Sequence, residues 1–239
     1  AKTLRDLLTM TAFAMAPKDI RYFLMGVLFV VEGAKLIAVA TDTHRLAYCE
    51  AEIDGLNQET KIEAIVPRKT VRELLRILPE DDTPVTVNVG DTQIGFNFAG
   101  IEFVSKLIEG KFPDYQRVMP TLDTNPQCVS INREELLLAL RRVQILTNER
   151  FHGIRWLFTK GSLTVQGSNA EQEEASQKLA VNWEWDDLDI GFNLLYMIEL
   201  LNNLKNSEVN FHFAATPKSV LVTMPESSSF RYLIMPMRI

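Results

Sequence analysis

The residues best suited to chemistry lie in one short stretch, ATDTHRLAYCE, residues 40 to 50. It holds a carboxylate, an imidazole and a thiol in Asp42, His44 and Cys49. A thiol near an imidazole can act as a nucleophile, so a hydrolase or transferase is one hypothesis. The alternative is structural. Asp42 and Thr43 would form a turn after an apolar strand, and Cys49 would pack inside the next strand as a small buried hydrophobe.

Other signatures of catalysis or metal binding are absent from the sequence. There is no glycine-rich phosphate loop, no paired CxxC motif and no HExxH motif. The three histidines, His44, His152 and His212, are far apart along the chain, which weakens a metal-site hypothesis. We therefore expect no catalytic residue, no metal and no cofactor.

The composition is that of a globular protein. Of 239 residues, 46% are hydrophobic and 23% are charged. The net charge of −6 argues against a protein that coats itself in nucleic acid, although a local basic face remains compatible with it. No apolar run approaches the roughly 20 residues of a membrane span, and the first residues lack the plan of a signal peptide. Two cysteines are too few for a disulfide framework, so we expect a cytoplasmic protein that does not insert into membranes.

The two halves of the chain are similar in sequence. Residues 26–42 (GVLFVVEGAKLIAVATD) align with residues 153–169 (GIRWLFTKGSLTVQGSN) at a shift of 127. Residues 66–78 (VPRKTVRELLRIL) align with residues 192–204 (FNLLYMIELLNNL) at a shift of 126. A nearly constant shift over most of the chain predicts two copies of one fold, each somewhat under 130 residues.

Each copy has the same predicted order of elements. An opening helix is followed by strands of alternating polarity, a second helix and further strands, and the second helix of the first copy begins near Pro67. This order predicts an α+β fold in which each copy packs two helices on antiparallel sheets. The proline-rich segment 109–127 is the predicted join between the copies. The opening helices present apolar positions at helical spacing, namely Leu4, Leu7, Leu8 and Thr11 in the first copy and Leu136, Leu137, Leu140 and Val143 in the second.

Several stretches together resemble one family. In order they are DIRYFLMG, ATDTHRLA, VPRK, FPDYQRVMP, SNAEQEEA, IGFN followed by a tyrosine, and the terminal MPMRI. This set is similar to the bacterial DNA polymerase III β sliding clamps, and the resemblance runs from the first residue to the last. It covers only the middle domain (1–116) and the C-terminal domain (117–239), so the family's N-terminal domain is missing. The implied fold is two tandem copies of the DNA-clamp domain.

The resemblance implies a processivity factor without catalysis of its own. Two three-domain protomers of the family close head to tail into a ring around double-stranded DNA, which is bound without sequence specificity. The ring tethers the α subunit of DNA polymerase III, and the clamp-loader δ subunit and other proteins with a clamp-binding motif dock at the same place. The full-length protein is thus expected to be a homodimer, whereas this chain is expected to be a monomer that cannot encircle DNA.

In the family, partner proteins insert a short apolar peptide into a cleft between the middle and C-terminal domains. The terminal LIMPMRI is expected to form one wall of this cleft. A strand of period two would place Leu233, Met235 and Met237 on one side and Ile234 on the other. Pro236 lacks an N–H donor, so it fits an edge strand or a strand end. The alternative is an ordinary buried last strand.

The other positions of the cleft follow from matching motifs. Thr43 stands where the family usually has glycine, and Pro217 stands where it often has a small aliphatic residue. The implied peptide-binding residues are Arg21, Phe23, Leu24, Thr41, Thr43, His44, Arg45, Leu46, Pro113, Gln116, Arg117, Val118, Asn193, Tyr196, Pro217, Ser219, Leu233, Met235, Pro236, Met237 and Arg238.

The helices are expected to line the bore of the ring and face DNA. Acidic residues crowd into segments 50–59, 79–82 and 184–189, which suggests a basic inner face and an acidic exterior. A sequence-specific DNA-binding protein is a third hypothesis, but the acidic total and the absence of a recognition-helix motif count against it. The residues expected to face DNA are Lys2, Arg5, Lys18, Tyr22, Arg68, Lys69, Arg72, Arg141, Arg142 and Lys205.

Ring closure is expected at one edge of the C-terminal domain. In the family this edge pairs with the N-terminal domain of the other protomer. Ser176 and Gln177 stand where the family often has acidic residues, so charge pairing is expected to be weaker. The matching residues are Ile145, Leu146, Glu171, Glu173 and Glu174.

Overall fold

The protein divides into two compact units, Ala1–Arg117 and Val118–Ile239. The computed structural model describes residues 1–53, 61–120, 122, 124–214, 217–225 and 227–239. The boundary lies inside the segment that the sequence predicts as the join. Each unit contains two α-helices and two antiparallel sheets within these residues.

The first unit opens with a helix and then forms its sheets around a second helix. One sheet has the strand order β4-β1-β2-β3 and the other has the order β5-β6-β7, with every described pairing antiparallel. The elements are α1 (Lys2–Ala12), β1 (Gly26–Glu32), β2 (Lys35–Thr41), β3 (Arg45–Glu52), β4 (Lys61–Pro67), α2 (Arg68–Ile77), β5 (Thr86–Val89), β6 (Gln93–Phe98) and β7 (Ile101–Lys106).

The second unit repeats this order and adds one strand before its first helix. Its sheets have the orders β11-β10-β9-β12 and β15-β14-β13-β8. The elements are β8 (Gln127–Asn132), α3 (Arg133–Gln144), β9 (Gly153–Thr159), β10 (Ser162–Ser168), β11 (Glu174–Ala180), β12 (Leu188–Asn193), α4 (Leu194–Asn203), β13 (Glu208–Phe213), β14 (Val220–Met224) and β15 (Ser227–Ile234).

The internal repeat predicted from the sequence is confirmed by strand order. Strands β1 to β4 pair in the order β4-β1-β2-β3, and strands β9 to β12 pair in the equivalent order β12-β9-β10-β11. In each unit the second helix follows directly from the fourth of these strands. The α+β fold of two tandem copies is therefore confirmed.

The helices form where apolar residues recur at helical spacing. In α1 the buried residues are Leu4, Leu7, Leu8 and Thr11, as predicted, and they pack against β2 and β3. The longest described helix, α3, has 12 residues. None of the described helices combines the length and apolarity that crossing a membrane requires.

Helix α3 has a side-chain cap at its start and favourable charges in its first and last turns. The Asn132 side chain accepts hydrogen bonds from the backbone N–H groups of Glu134 and Glu135 at 3.0 and 3.1 Å. These two carboxylates lie in the first turn, whereas Arg141 and Arg142 lie in the last. The charges at both ends therefore interact favourably with the helix dipole. The start of α3 is thus fixed by its own sequence.

An aromatic cluster joins the two sheets of the second unit. Trp156 of β9 lies 5.1 Å from Phe192 of β12 and 5.3 Å from Phe211 of β13, measured between ring centroids. Phe158 packs against Phe213 at 5.3 Å in the same edge-to-face manner. Such pairs add about 0.5–1.5 kcal/mol each beyond the burial of their area. The core of this unit therefore lies between β9 and β12 on one side and β13 on the other.

Replacing Asn132 with alanine should lower the free energy of unfolding of the second unit by about 1 kcal/mol, because two helix N–H groups lose their acceptor. Urea denaturation followed by circular dichroism measures this change. Asn132→Ser is the control, since a serine hydroxyl can still cap the helix. Equal stability of the alanine and serine variants would show that the cap does not matter.

Candidate functional site

The turn between β2 and β3 is organised by Asp42. Its carboxylate accepts hydrogen bonds from the backbone N–H groups of His44 and Arg45 at 3.0 and 3.1 Å. It also forms a buried ion pair with the Arg45 Nε at 3.0 Å. The same guanidinium donates to the carbonyl oxygen of Phe13 at 2.7 Å. Asp42 is therefore a structural residue of the turn, as the structural alternative predicts.

Thr43 occupies a backbone conformation that favours glycine. Its φ angle is +78°, which is rare for a β-branched residue and costs on the order of 1–3 kcal/mol. Hydrogen bonds hold the residue there: the Thr43 N–H donates to the Thr41 hydroxyl oxygen at 3.0 Å, and that hydroxyl donates to the Arg45 carbonyl oxygen at 2.6 Å. The turn therefore keeps the geometry that glycine would adopt without strain.

Asn169 plays the role of Asp42 in the second copy. Its side-chain oxygen accepts hydrogen bonds from the backbone N–H groups of Glu171 and Glu173 at 3.1 and 2.9 Å. Its amide nitrogen donates to the Glu173 carboxylate at 2.7 Å. The partner is an anion here and a cation in the first copy, which accounts for asparagine in one copy and aspartate in the other.

Cys49 is poorly suited to nucleophilic catalysis. Its side chain is buried within β3, and burial raises the pKa of the thiol to about 12, with the negative charges of Asp6 and Glu50 adding to the effect. The thiolate is the nucleophilic form, so almost none is present at neutral pH. The described part of the chain also contains no group of three or more His, Cys, Asp or Glu residues that could hold a metal ion.

A second candidate segment of the first unit follows α1. Arg21 forms a bidentate pair with Asp19 at 2.9 and 2.8 Å, and this bonding lowers the pKa of Asp19 to about 2. Tyr22 is 68% exposed, Phe23 is half-buried and Leu24 is fully buried. The arginine is thus held at the surface in a fixed orientation, whereas Leu24 belongs to the core.

The remaining first-unit residues of the predicted set divide by burial. Thr41, Arg45 and Leu46 are buried, whereas the His44 side chain is exposed. Arg45 in particular was expected among the peptide contacts, but its guanidinium is committed to the ion pair within the turn. These three buried residues therefore support the backbone of the turn.

The predicted residues of segment 113–118 are exposed. Pro113 and Gln116 lie at the surface, and Arg117 pairs with Asp114 at 2.9 Å while remaining largely exposed. Val118 begins the second unit and is 48% exposed. All four predicted side chains are therefore accessible to a peptide.

Two predicted residues of the second unit lie at the start of α4. The Asn193 side chain accepts hydrogen bonds from the backbone N–H groups of Leu195 and Tyr196 at 2.9 and 3.3 Å, so it caps this helix. Tyr196 is half-buried, and Pro217 and Ser219 are also half-buried. Sequence analysis missed the capping role of Asn193. The available signal was an asparagine directly before a helical pattern.

The end of the chain differs from its predicted form. Strand β15 ends at Ile234, so the predicted continuation of a period-two strand through Met237 is wrong. Leu233 and Ile234 are both buried. Met235 is 45% exposed, Met237 is half-buried and Arg238 is exposed. The strand stops at Ile234 because Pro236, two residues further on, has no backbone N–H group to donate to a neighbouring strand. Exposure therefore begins at Met235 instead of at Leu233.

Four of the arginines predicted to face DNA have structural partners, and two of these, Arg141 and Arg142, donate to the side chains of Asn202 and Gln177 at 3.1 and 3.0 Å. Arg5 donates to the Leu78 carbonyl oxygen at 3.2 Å and pairs with Glu80 at 3.0 Å, and Arg68 donates to the Ala16 carbonyl oxygen at 3.1 Å. Arg5 and Arg68 are only partly exposed, which corrects the expectation of freely exposed side chains. The other basic residues of the set are exposed, namely Lys2, Lys18, Lys69, Arg72, Arg141, Arg142 and Lys205.

The predicted exterior acidic segments are described only in part. Segment 79–82 and segment 184–189 contain exposed carboxylates, including Glu80 and Asp186. Residues 54–59 of segment 50–59 lie outside the described part of the chain.

The predicted ring-closure residues lie at the start of an outer strand and just after helix α3. Strand β11 is at one end of its sheet, and Glu171, Glu173 and Glu174 at its start are exposed. Ile145, just after α3, is 80% exposed, and Leu146 is half-buried. Phe151, which the sequence analysis did not single out, is 61% exposed.

Family models match the chain along nearly its whole length. The central domain of the DNA polymerase III beta subunit matches residues 1–114, and the C-terminal domain of the same subunit matches residues 116–238. The boundary between the two matched segments lies within a few residues of the boundary between the two units of the fold.

Relatives with the name beta sliding clamp match 99% of the chain. The protein from Pseudomonas aeruginosa is 39% identical over 236 residues, that from Haemophilus influenzae 40% over 237, and that from Escherichia coli K12 39% over 238. The chain spans 64% of the length of each of these curated relatives.

Solved structures show the same likeness. A DNA polymerase sliding clamp from P. aeruginosa with a ligand superimposes with a TM-score of 0.95 at 39% identity, covering 100% of this chain and 65% of that one. A sliding clamp from the same organism bound to griselimycin gives a TM-score of 0.94 at 39% identity, covering 100% of this chain and 64% of that one. From its repeated fold and from both family matches, the chain belongs to the DNA polymerase III beta subunit family, whose proteins are the sliding clamps.

Proposed function

We propose that the chain is the partner-docking and DNA-facing part of a sliding clamp that acts in bacterial DNA replication without catalysing a reaction. The match of both clamp domains along the chain carries this proposal. The neutral, buried thiol of Cys49 and the structural role of Asp42 support it, because they leave the competing nucleophile hypothesis without an active nucleophile.

Docking of a short apolar peptide is proposed at the surface around Met235. A half-exposed methionine offers apolar area, and its flexible thioether adapts to ligands of different shape. The exposed Arg238 lies three residues away in sequence and could orient a peptide by its charge. The resemblance also assigns peptide contacts to the first unit, where His44 and Arg21 are exposed. The partners are the polymerase α subunit, the clamp-loader δ subunit and other proteins that carry the clamp-binding motif.

Binding of double-stranded DNA without sequence specificity is proposed through the exposed basic residues on and beside the helices. Arg72, Arg141 and Arg142 are exposed on α2 and α3. Contacts of lysine and arginine with phosphates carry no sequence information, and they weaken steeply as salt rises. Such contacts hold the duplex while allowing it to slide.

Changing Met235 to aspartate should weaken peptide binding about thirtyfold. The charged side chain loses the roughly 2 kcal/mol of binding free energy that burial of the methionine side chain would contribute. The measurement is fluorescence anisotropy with a labelled synthetic peptide that copies the clamp-docking segment of the polymerase α subunit. Griselimycin, which is bound in one matching P. aeruginosa structure, is tested as a competitor in the same assay.

The matched control is Leu138→Asp, which places the same charge at a 50% exposed apolar position on α3 outside the predicted peptide set. We expect this control to bind the peptide as the parent chain does. Equal affinities of the Met235→Asp variant and the parent chain would contradict the site assignment.

Cys49 should resist modification by thiol reagents throughout pH 6–9, because its pKa of about 12 keeps the thiol protonated in this range. Mass spectrometry after treatment with iodoacetamide measures the modification, and the half-buried Cys128 provides the internal comparison. Cys49→Ser should leave peptide affinity unchanged. Rapid labelling of Cys49 in the folded chain would revive the nucleophile hypothesis.

Ring closure is proposed to use the outer strand β11 and the exposed Ile145, with the partner surface supplied by a domain that lies beyond this chain. The full-length protein would then be a homodimer, whereas the chain alone is a monomer. Sedimentation velocity at micromolar concentration should give one monomeric species. A stable dimer of the 239-residue chain would overturn this part of the proposal.

A further inference from the structure

The last five residues connect the two sheets of the second unit. Ile234 is the final residue of β15 and pairs with Val220 of β14. Three residues later, Met237 forms an isolated antiparallel bridge with Gly191 of β12, the outer strand of the other sheet. The Met237 N–H donates to the Gly191 carbonyl oxygen at 2.9 Å. We call Met235–Ile239 the tail.

The tail passes so close to Gly191 that no side chain fits there. A Cβ atom on Gly191 would approach the Met237 carbonyl oxygen more closely than real Cβ atoms approach other atoms. It would also lie 2.7 Å from the Cδ1 and Cγ1 atoms of Ile239. The Ile239 side chain could rotate away, but the Met237 carbonyl belongs to the backbone. Relief of the clash therefore requires the tail itself to move.

Gly153 provides a contrast on the neighbouring strand. A Cβ atom there would lie 3.6 Å from the Met237 methyl carbon and from Ile239, which is an ordinary van der Waals contact. Gly191 is not among the residues with positive φ, so its requirement for glycine is one of space and not of backbone conformation. The two glycines flank the same tail but differ in what a methyl group would meet.

We propose that Gly191 is a positioning residue for peptide docking: by admitting the tail backbone onto β12, it fixes Met235 in the exposed position where a peptide would meet it. This inference rests on the proposed function. Met235 lies between two fixed points, Ile234 in β15 and Met237 on β12, and is 45% exposed. A tail held in this way is already ordered before the peptide arrives. Binding then avoids the entropic cost of ordering these residues.

The test is Gly191→Ala with Gly153→Ala as its matched control. Hydrogen exchange of the Met237 amide reports the bridge, the ¹³C-methyl NMR signals of Met235 and Met237 report tail position, and anisotropy with the labelled α-subunit peptide reports docking. In Gly191→Ala we expect Met237 exchange at least tenfold faster, shifted methyl signals and peptide affinity at least tenfold weaker. In Gly153→Ala we expect exchange and affinity within twofold of the parent chain.

Two outcomes would overturn the inference. One is a Gly191→Ala variant that keeps both Met237 protection and peptide affinity. The other is loss of Met237 protection with unchanged affinity, which would show that docking does not depend on tail position. If the parent chain itself does not bind the peptide, the proposed function fails, while the exchange data still decide whether Gly191 anchors the tail.

A second variant covers the case in which Gly191→Ala does not fold. Ile239→Gly removes the side chain that lies over both glycines but leaves the bridge atoms in place. We expect severalfold faster exchange at Met237 and severalfold weaker peptide binding. No change in either quantity would contradict the anchoring of the tail.

Discussion

The apolar stripes of four helices can leave water only by packing on antiparallel sheets, and this requirement shapes both units. In the first unit Leu4, Leu7 and Leu8 of α1 are buried against β2 and β3. In the second, Leu136 and Leu140 of α3 meet the same need. Burying such side chains contributes about 1.5–3 kcal/mol each. With the helices and strands fixed in this way, several of the residues proposed for peptide docking fall in segments that follow strand ends.

Two such segments are held in place by hydrogen bonds of their own. The turn after β2 depends on the carboxylate of Asp42, which is bound to Arg45 on one side and to backbone N–H groups on the other. The tail after β15 depends on a single bridge to β12. In both, hydrogen-bonded residues fix the backbone, and the side chain of a neighbouring residue, His44 or Met235, is exposed at the surface. Order before binding lowers the entropic cost of recognition.

Sequence reasoning succeeded wherever a periodic pattern or a repeat carried the information. The helices around Leu7 and Leu140, the turn at Asp42 and the buried Cys49 were all predicted. It failed where the outcome depends on contacts distant in sequence. Pro236 is a local signal for the end of the strand, but nothing near Ile234 indicates that Met237 bonds to Gly191, 46 residues earlier. Similarly, the partners that tie down Arg5 lie on and beyond α2, and a list of basic residues cannot reveal them.

The matched turns at Asp42 and Asn169 limit how the two copies can diverge. The carboxylate of Asp42 pairs with the Arg45 guanidinium, whereas the side-chain amide of Asn169 donates a hydrogen bond to the Glu173 carboxylate. Exchanging aspartate for asparagine in one turn alone would leave a guanidinium without its counter-ion or set two carboxylates against each other. Sequence drift at these positions must therefore proceed in coupled pairs, and a chimera that swaps loops between the copies has to transplant both members together.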